Sequence, residues 1–328
     1  MHKKIYFILI LLFTHQPTQS VEPPTWGFFA HQLINRQAVF SLPPEMIDFY
    51  KYHINYIAEN SVNPDKRRYV VEDEGAKHYI DLDLYGDSAA YTLPRYWFQA
   101  VAQYGEDSLM AWGIVPWHVN FMKIRLTKAF AEKNATEILR LSAEIGHYIA
   151  DANVPLHTTS NYNGKATNQV GIHAFWESRV PELLSKNYDF FVGKAQYIDN
   201  PQLRAWDAVI QANEALDSVY YYEKFLTKKF SEDKKYGFEE RNKQTVKVYS
   251  KEFTRAYEKK LNGQIERQLR SSIKMIADFW YTAWVDAGQP DIAQLLEKVK
   301  IGSDSTTIQK ETLEWRKDNI APGRVHEH

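Results

Sequence analysis

The apolar positions of this 328-residue chain recur at three- and four-residue steps along most of its length. Between Glu137 and Asp151 the pattern runs Ile138, Leu141, Ile145, Tyr148 and Ile149, one face of an amphipathic helix. The same period predicts helices over Phe28–Phe40, Glu45–Glu59, Leu93–Tyr104, Trp117–Glu132, Arg204–Phe225, Lys243–Leu261 and Ile265–Asp286. Breaks fall at Leu42-Pro43-Pro44, Asn63-Pro64-Asp65, Val154-Pro155 and Gly288-Gln289-Pro290. No run of alternating residues reads as a strand, and no internal repeat is found. The Asn-, Gly- and Thr-rich segment Asn161–Gly171 reads as a surface loop, and charged Lys228–Lys243 as a solvated linker or helix end. The expected fold is all-α, a compact multi-helix domain over 21–298 with a polar tail over 299–328.

The first twenty residues depart from this pattern. Lys3 and Lys4 precede an apolar run from Ile5 to Phe13, and Thr14 to Ser20 are polar. This is the layout of a secretory signal peptide over 1–20, with an apolar stretch too short to span a bilayer. The expected localisation is therefore export, to a periplasm or the medium. No later segment is long and apolar enough to predict a transmembrane helix.

Composition narrows the chemistry. Aromatic residues make up 14% of the chain, which favours a packed core over disorder. The formal net charge of −1 gives no broad footprint for duplex DNA or an anionic membrane. The chain has no cysteine, which excludes a thiolate metal site, a cysteine nucleophile and a lipidated N-terminal cysteine. No Gly-rich phosphate loop or Gly-x-Ser-x-Gly elbow is present. Any metal must be held by His, Asp, Glu and main-chain atoms.

The histidines supply that possibility. His147 and Asp151 lie four residues apart, as do His173 and Glu177. In a helix that spacing puts both side chains on one face, within reach of one ion. Pro155 ends the first of these helices and delivers His157 just beyond it. His53 and His118 have no carboxylate at ligand spacing and read as structural. Asp81 and Asp83 follow His78 closely enough to hydrogen-bond around it. The aromatic clusters Tyr220-Tyr221-Tyr222 and Trp280–Trp284 read as core before they read as a substrate groove.

The segment from Trp26 to Glu177 resembles the superfamily of bacterial zinc-dependent phospholipases C and fungal single-strand-specific zinc nucleases. The resemblance rests on Trp26-Gly27 with His31, Asp65 in Asn-Pro-Asp, and His78 in His-Tyr-Ile-Asp. It continues through His147-x-x-x-Asp151, Pro155-Leu156-His157 and His173-x-x-x-Glu177. It covers about half the chain.

The resemblance implies two or three Zn2+ ions. Asp65, His78, His147 and Asp151 would hold one, and His157, His173 and Glu177 a second. Trp26 through main-chain atoms, with His31 and the shared Asp151, would hold a third. Asp65 would also orient the attacking water. Zinc lowers the pKa of bound water and neutralises phosphoryl oxygens, the chemistry of a metal-activated hydroxide cleaving a phosphate ester.

Two departures bear on substrate. In the family the Trp is the mature N-terminus, whereas Val21–Thr25 would precede Trp26 here after cleavage at Ser20. Glu177, where the nucleases carry Asp, and the short loop between His157 and His173 look like the phospholipases. Trp26-Gly27 followed by His31, and His78-Tyr79-Ile80-Asp81, look like the nucleases. The expected function is a phospholipase C-like phosphodiesterase with peripheral membrane contact. The alternative is a single-strand nuclease or 3′-nucleotidase at the same site. A non-catalytic zinc-binding module is the third reading. The expected partner is a phosphate ester, either a phospholipid head group or a nucleotide and single-stranded nucleic acid. No protein partner is implied.

Overall fold

A computed structural model describes residues 27–68, 70–241 and 244–296. The expected signal peptide over 1–20, Trp26 and the tail over 299–328 lie outside the described residues. The fold is all-helical, as the periodicity predicts, with one two-stranded sheet among the described residues. No helix of the described residues is long and apolar enough to cross a membrane.

The Ala135–Ala152 helix runs through the middle of the molecule. Asn134 caps its start by accepting from the Glu137 N–H at 3.2 Å. Burial along its second half is almost continuous, from Leu141 to Ala152. Such a helix is surrounded by protein rather than lying on a surface. The helices packed most closely on it are Phe28–Ala38, Ile54–Asn60, Val115–Ala131 and Gln264–Asp286. The indole N–H of Trp280 donates to the Ser142 carbonyl at 3.0 Å, and Tyr50 stacks on Trp280 with ring centroids 4.8 Å apart. Trp280 and Trp284 are core, and Tyr221 is exposed.

Three boundaries differ from the sequence reading. The expected Glu45–Glu59 helix is two, Pro44–Tyr52 and Ile54–Asn60. The break falls at His53, which turns inward so that its Nε2–H donates to the Leu296 carbonyl at 3.2 Å. The expected Leu93–Tyr104 helix starts only at Trp97, because Leu93 precedes Pro94 and is held extended.

The third difference is a correction. The chain from Tyr236 to Tyr249 is an antiparallel hairpin, Tyr236–Arg241 paired with Gln244–Tyr249, and the helix begins only at Lys251. Ser250 caps that helix by accepting from the Phe253 N–H. The alternation Val246, Val248 was a strand signal too short to outweigh the helical run behind it. Burial of Tyr249, stacked on Phe175 at 3.8 Å, fixes the strand.

The Asn161–Gly171 segment is a loop but not purely a surface one. Asn163 and Gln169 are buried, and the Gln169 amide donates to Glu223 at 2.6 Å and to the Tyr220 carbonyl at 2.9 Å. Gly164 has φ +75° and its Cα faces the Gln169 carbonyl so closely that a Cβ would sit 2.5 Å from it. Only glycine fits there.

Candidate metal centre

Eight of the predicted site residues converge from six segments. His31 comes from the Phe28–Ala38 helix and Asp65 from the Asn63–Arg67 helix. His78 ends a 3-10 turn over Gly75–His78, and His147 and Asp151 face the same side of the central helix. His157 lies in the Pro155–Thr158 turn. His173 and Glu177 sit in Ile172–Arg179, where the last five residues form a π-helical turn, a feature that often marks functional sites. Trp26 lies outside the described residues.

The donor atoms form three overlapping groups, and His31, Asp65 and His147 also lie close enough together to make a fourth. In the first, His78 Nδ1 is 2.9 Å from Asp151 Oδ2 and 3.0 Å from His147 Nε2. His147 Nε2 is 3.3 Å from Asp151 Oδ2, and Asp65 Oδ1 lies 3.7 Å from His147 Nε2 and 3.8 Å from His78 Nδ1. Four ligands at 2.0–2.2 Å around a tetrahedral ion are about 3.4 Å apart. The five separations straddle that value. In the second group His157 Nε2, His173 Nε2 and Glu177 Oε2 are 2.9, 2.8 and 3.5 Å apart in pairs. In the third, His31 Nε2 is 3.5 Å from Asp151 Oδ1 and 3.4 Å from Glu177 Oε1.

Both carboxylates are therefore shared. Asp151 turns one oxygen to the first group and the other to His31, and Glu177 divides its oxygens between the second group and His31. The sequence reading expected sharing only by Asp151. Gly27 borders this third group, since a Cβ there would sit 3.0 Å from Glu177 Oε1.

One tautomer is fixed by geometry. His157 Nδ1 lies 2.6 Å from the His78 carbonyl, which can only accept, so Nδ1 carries the proton and the Nε2 lone pair faces His173 and Glu177. Burial raises the Asp151 carboxyl, but the charges of His147 and His157 and the hydrogen bonds from His147 and His78 outweigh it. Asp151 is held well below the usual carboxylate range. Glu177 is depressed in the same way, burial being overcome by His173, His157 and His31. Burial likewise opposes Asp65, and His147 and His78 bring it down. Burial lowers His147, yet Asp151 and Asp65 carry it up to about 9, while at His78 burial wins and the pKa falls.

Clustered nitrogen and oxygen donors of this kind fit divalent cations. Two imidazole nitrogens 3.0 Å apart that also share one carboxylate oxygen are an awkward hydrogen-bonding arrangement and an ordinary ligand arrangement. The buried groups can thus hold metal ions.

The chain matches no protein-family model and no curated protein sequence. Among solved structures it is similar to the alpha-toxin of Clostridium absonum. The TM-score is 0.49 and the identity 13%, over 82% of this chain and 67% of that chain. The alpha-toxin of Clostridium perfringens from avian strain SWCP gives the same values.

The other histidines stand apart from the three groups. His118 is buried with its ring edge-on to Tyr148 at 4.5 Å. Asp83 braces the 155–160 segment by accepting from the Ser160 N–H and hydroxyl and the Thr159 hydroxyl. Asp81 is buried, and its N–H donates to the Trp112 carbonyl. One neighbour of the centre escaped the sequence reading: Glu74 Oε1 lies 3.9 Å behind His78 Nε2. Its signal was present, because Glu74 stands four residues before His78, the same spacing that marked the other pairs.

Proposed function

We propose that the protein is an exported zinc-dependent phosphoric ester hydrolase of the phospholipase C type. The observation that carries this is the sharing of Asp151 and Glu177 among three adjoining donor groups. Neighbouring ions a few ångströms apart suit a phosphate ester, whose several oxygens need neutralising together. Zinc bound there supplies Lewis acidity toward the phosphoryl oxygens and lowers the pKa of the water it binds.

In this reading Asp65, His78, His147 and Asp151 hold one ion, and His157, His173 and Glu177 a second. His31, with Asp151 and Glu177, takes part in a third. Trp26 main-chain atoms complete that third set, a role supported by the run of Gly27 against Glu177. Asp65 is the most exposed of the eight, at 17% of its side chain, and its carboxylate is ionised at neutral pH. It is placed to accept a hydrogen bond from an attacking water and orient it. With an ion bound, the imidazoles would serve as neutral donors, and His157 would do so through Nε2.

A small head-group diester, free or on a phospholipid, is the preferred substrate class. Glu177 and the short His157–His173 loop support it. Zinc-loaded protein should be assayed on a phosphorylcholine ester, a phospholipid, single-stranded DNA and a 3′-nucleotide. Turnover highest on the first two is the expected result. Dominant cleavage of DNA or the nucleotide would transfer the assignment to the nuclease reading. A metal-loaded protein inert on all four would leave a zinc-binding module.

A further inference from the structure

Behind the first donor group lies a buried polar network that the proposed chemistry does not use. Arg67 is at its centre. Its Nη1 donates to Glu144 Oε1 at 2.6 Å, and its Nη2 donates to Glu74 Oε1 at 3.3 Å. The Tyr148 hydroxyl lies 3.5 Å from the same Nη2 and itself donates to Glu74. Glu74 also accepts from Lys77 at 2.9 Å, and Glu144 from Arg140 at 3.1 and 3.2 Å. Both carboxylates are almost fully buried.

Each member of the network belongs to a segment that carries donors. Arg67 follows Asp65 by two residues in the Asn63–Arg67 helix. Glu74 precedes His78 in the turn that presents it, with Oε1 3.9 Å from His78 Nε2. Glu144 and Tyr148 lie on the central helix around His147 and Asp151. One guanidinium therefore ties together the three segments from which the first group is assembled.

We propose that Arg67 is a positioning residue for the first donor group, bridging Glu74 and Glu144 so that Asp65, His78, His147 and Asp151 are in place before an ion arrives. This rests on the metal-centre reading above. The need is physical. Two of those donors are carboxylates, which repel each other until a cation binds between them. Holding them together requires structure supplied from outside the group. A guanidinium meets that need better than an ammonium, because its planar fork reaches several acceptors at once from one fixed position. Glu74 adds direction. Its Oε1 lies 3.9 Å from His78 Nε2, the ring nitrogen turned away from Asp151 and His147.

The fold should survive loss of Arg67, since Glu74 keeps Lys77 and Tyr148, and Glu144 keeps Arg140. The test compares the full chain with Arg67→Met, Arg67→Lys and Tyr148→Phe, each stripped with a chelator and titrated with Zn2+ against a chromophoric competitor. Co2+ absorption and melting of the metal-free forms are recorded alongside. Arg67→Met should bind one ion about 10- to 100-fold more weakly, the usual cost of losing such a partner, and the remaining ions normally. The ion lost should be the one also lost in His78→Ala, and Arg67→Lys should recover part of the affinity. Unchanged affinity for every ion in Arg67→Met, with only a lower melting temperature, overturns the proposal and leaves Arg67 a stabilising residue. If Arg67→Met does not fold, unchanged affinity in both Arg67→Lys and Tyr148→Phe overturns it equally. Failure of the unaltered chain to bind Zn2+ is a different result, and overturns the metal-centre reading on which the proposal stands.

Discussion

Asn35 occupies the notch left by Gly146. Its side-chain oxygen lies where a Cβ on residue 146 would have to be, and its amide donates to the His31 carbonyl at 2.9 Å. The Phe28–Ala38 helix is thereby drawn against the central helix beside His147. The rings of His31 and His147 consequently stack 4.0 Å apart at 23°.

Gly146→Ala should force these helices apart. The new methyl overlaps a fully buried side chain, a form of overpacking that costs typically about 1–3 kcal/mol. Denaturant unfolding measures the loss. Zinc titration should show the ion nearest His31 weakened more than the ion between His157 and His173. An alanine variant as stable as the original would show that Asn35 has room to move and that the notch does not set the spacing.

Asp151→Ala should remove more metal than His31→Ala. Asp151 turns an oxygen toward each of two donor groups, and His31 offers one nitrogen. Metal analysis after dialysis should find two ions depleted in the first variant and one in the second. Full occupancy in Asp151→Ala would end the shared-ligand assignment.

Glu177→Gln keeps the volume and removes the charge that helps hold a divalent cation. Glu177 faces both the His157–His173 pair and His31, so two ions should weaken together. Activity on a phosphodiester should collapse at neutral pH and return in part with excess zinc. The contrasting role is a surface charge paired with Arg179, whose exchange would cost under about 1 kcal/mol. That role is already disfavoured, because Arg179 donates instead to Glu239 and to the Tyr249 carbonyl. Wild-type zinc content in Glu177→Gln would revive it.

His118 should make the fold acid-sensitive. Burial, with Lys77 adding to it, lowers its pKa from the ordinary 6.5 to about 3. Between those values the unfolded chain binds a proton that the folded chain refuses. Stability at this residue is therefore intact above pH 6.5 and falls as the pH drops from 6.5 toward 3. The slope is at most about 1.4 kcal/mol per pH unit. His118→Phe should flatten that part of the stability profile in chelator-treated protein, and NMR titration of His118 should show no protonation at pH 5. A His118 signal titrating near 6.5 would refute the burial argument.

The sequence by itself determined the helical class and pointed to the candidate donors. Helical period and i, i+4 spacing are local properties, written directly into the order of residues. They picked out His147 with Asp151 and His173 with Glu177, and the resemblance added His31, Asp65, His78 and His157. Tertiary structure decided how those donors divide. His31 and Glu177 are far apart in the chain, and only the packing of the Phe28–Ala38 helix brings His31 Nε2 within 3.4 Å of Glu177 Oε1. The hairpin before Lys251 was settled the same way, by Tyr249 burying its ring on Phe175 rather than by local preference. Arg67 shows the same limit. It reads as one more charged residue after a proline, and its partners Glu74, Glu144 and Tyr148 become its partners only when three segments meet. Spacing along a chain fixes which face a side chain takes, and only the packing of faces fixes what it meets.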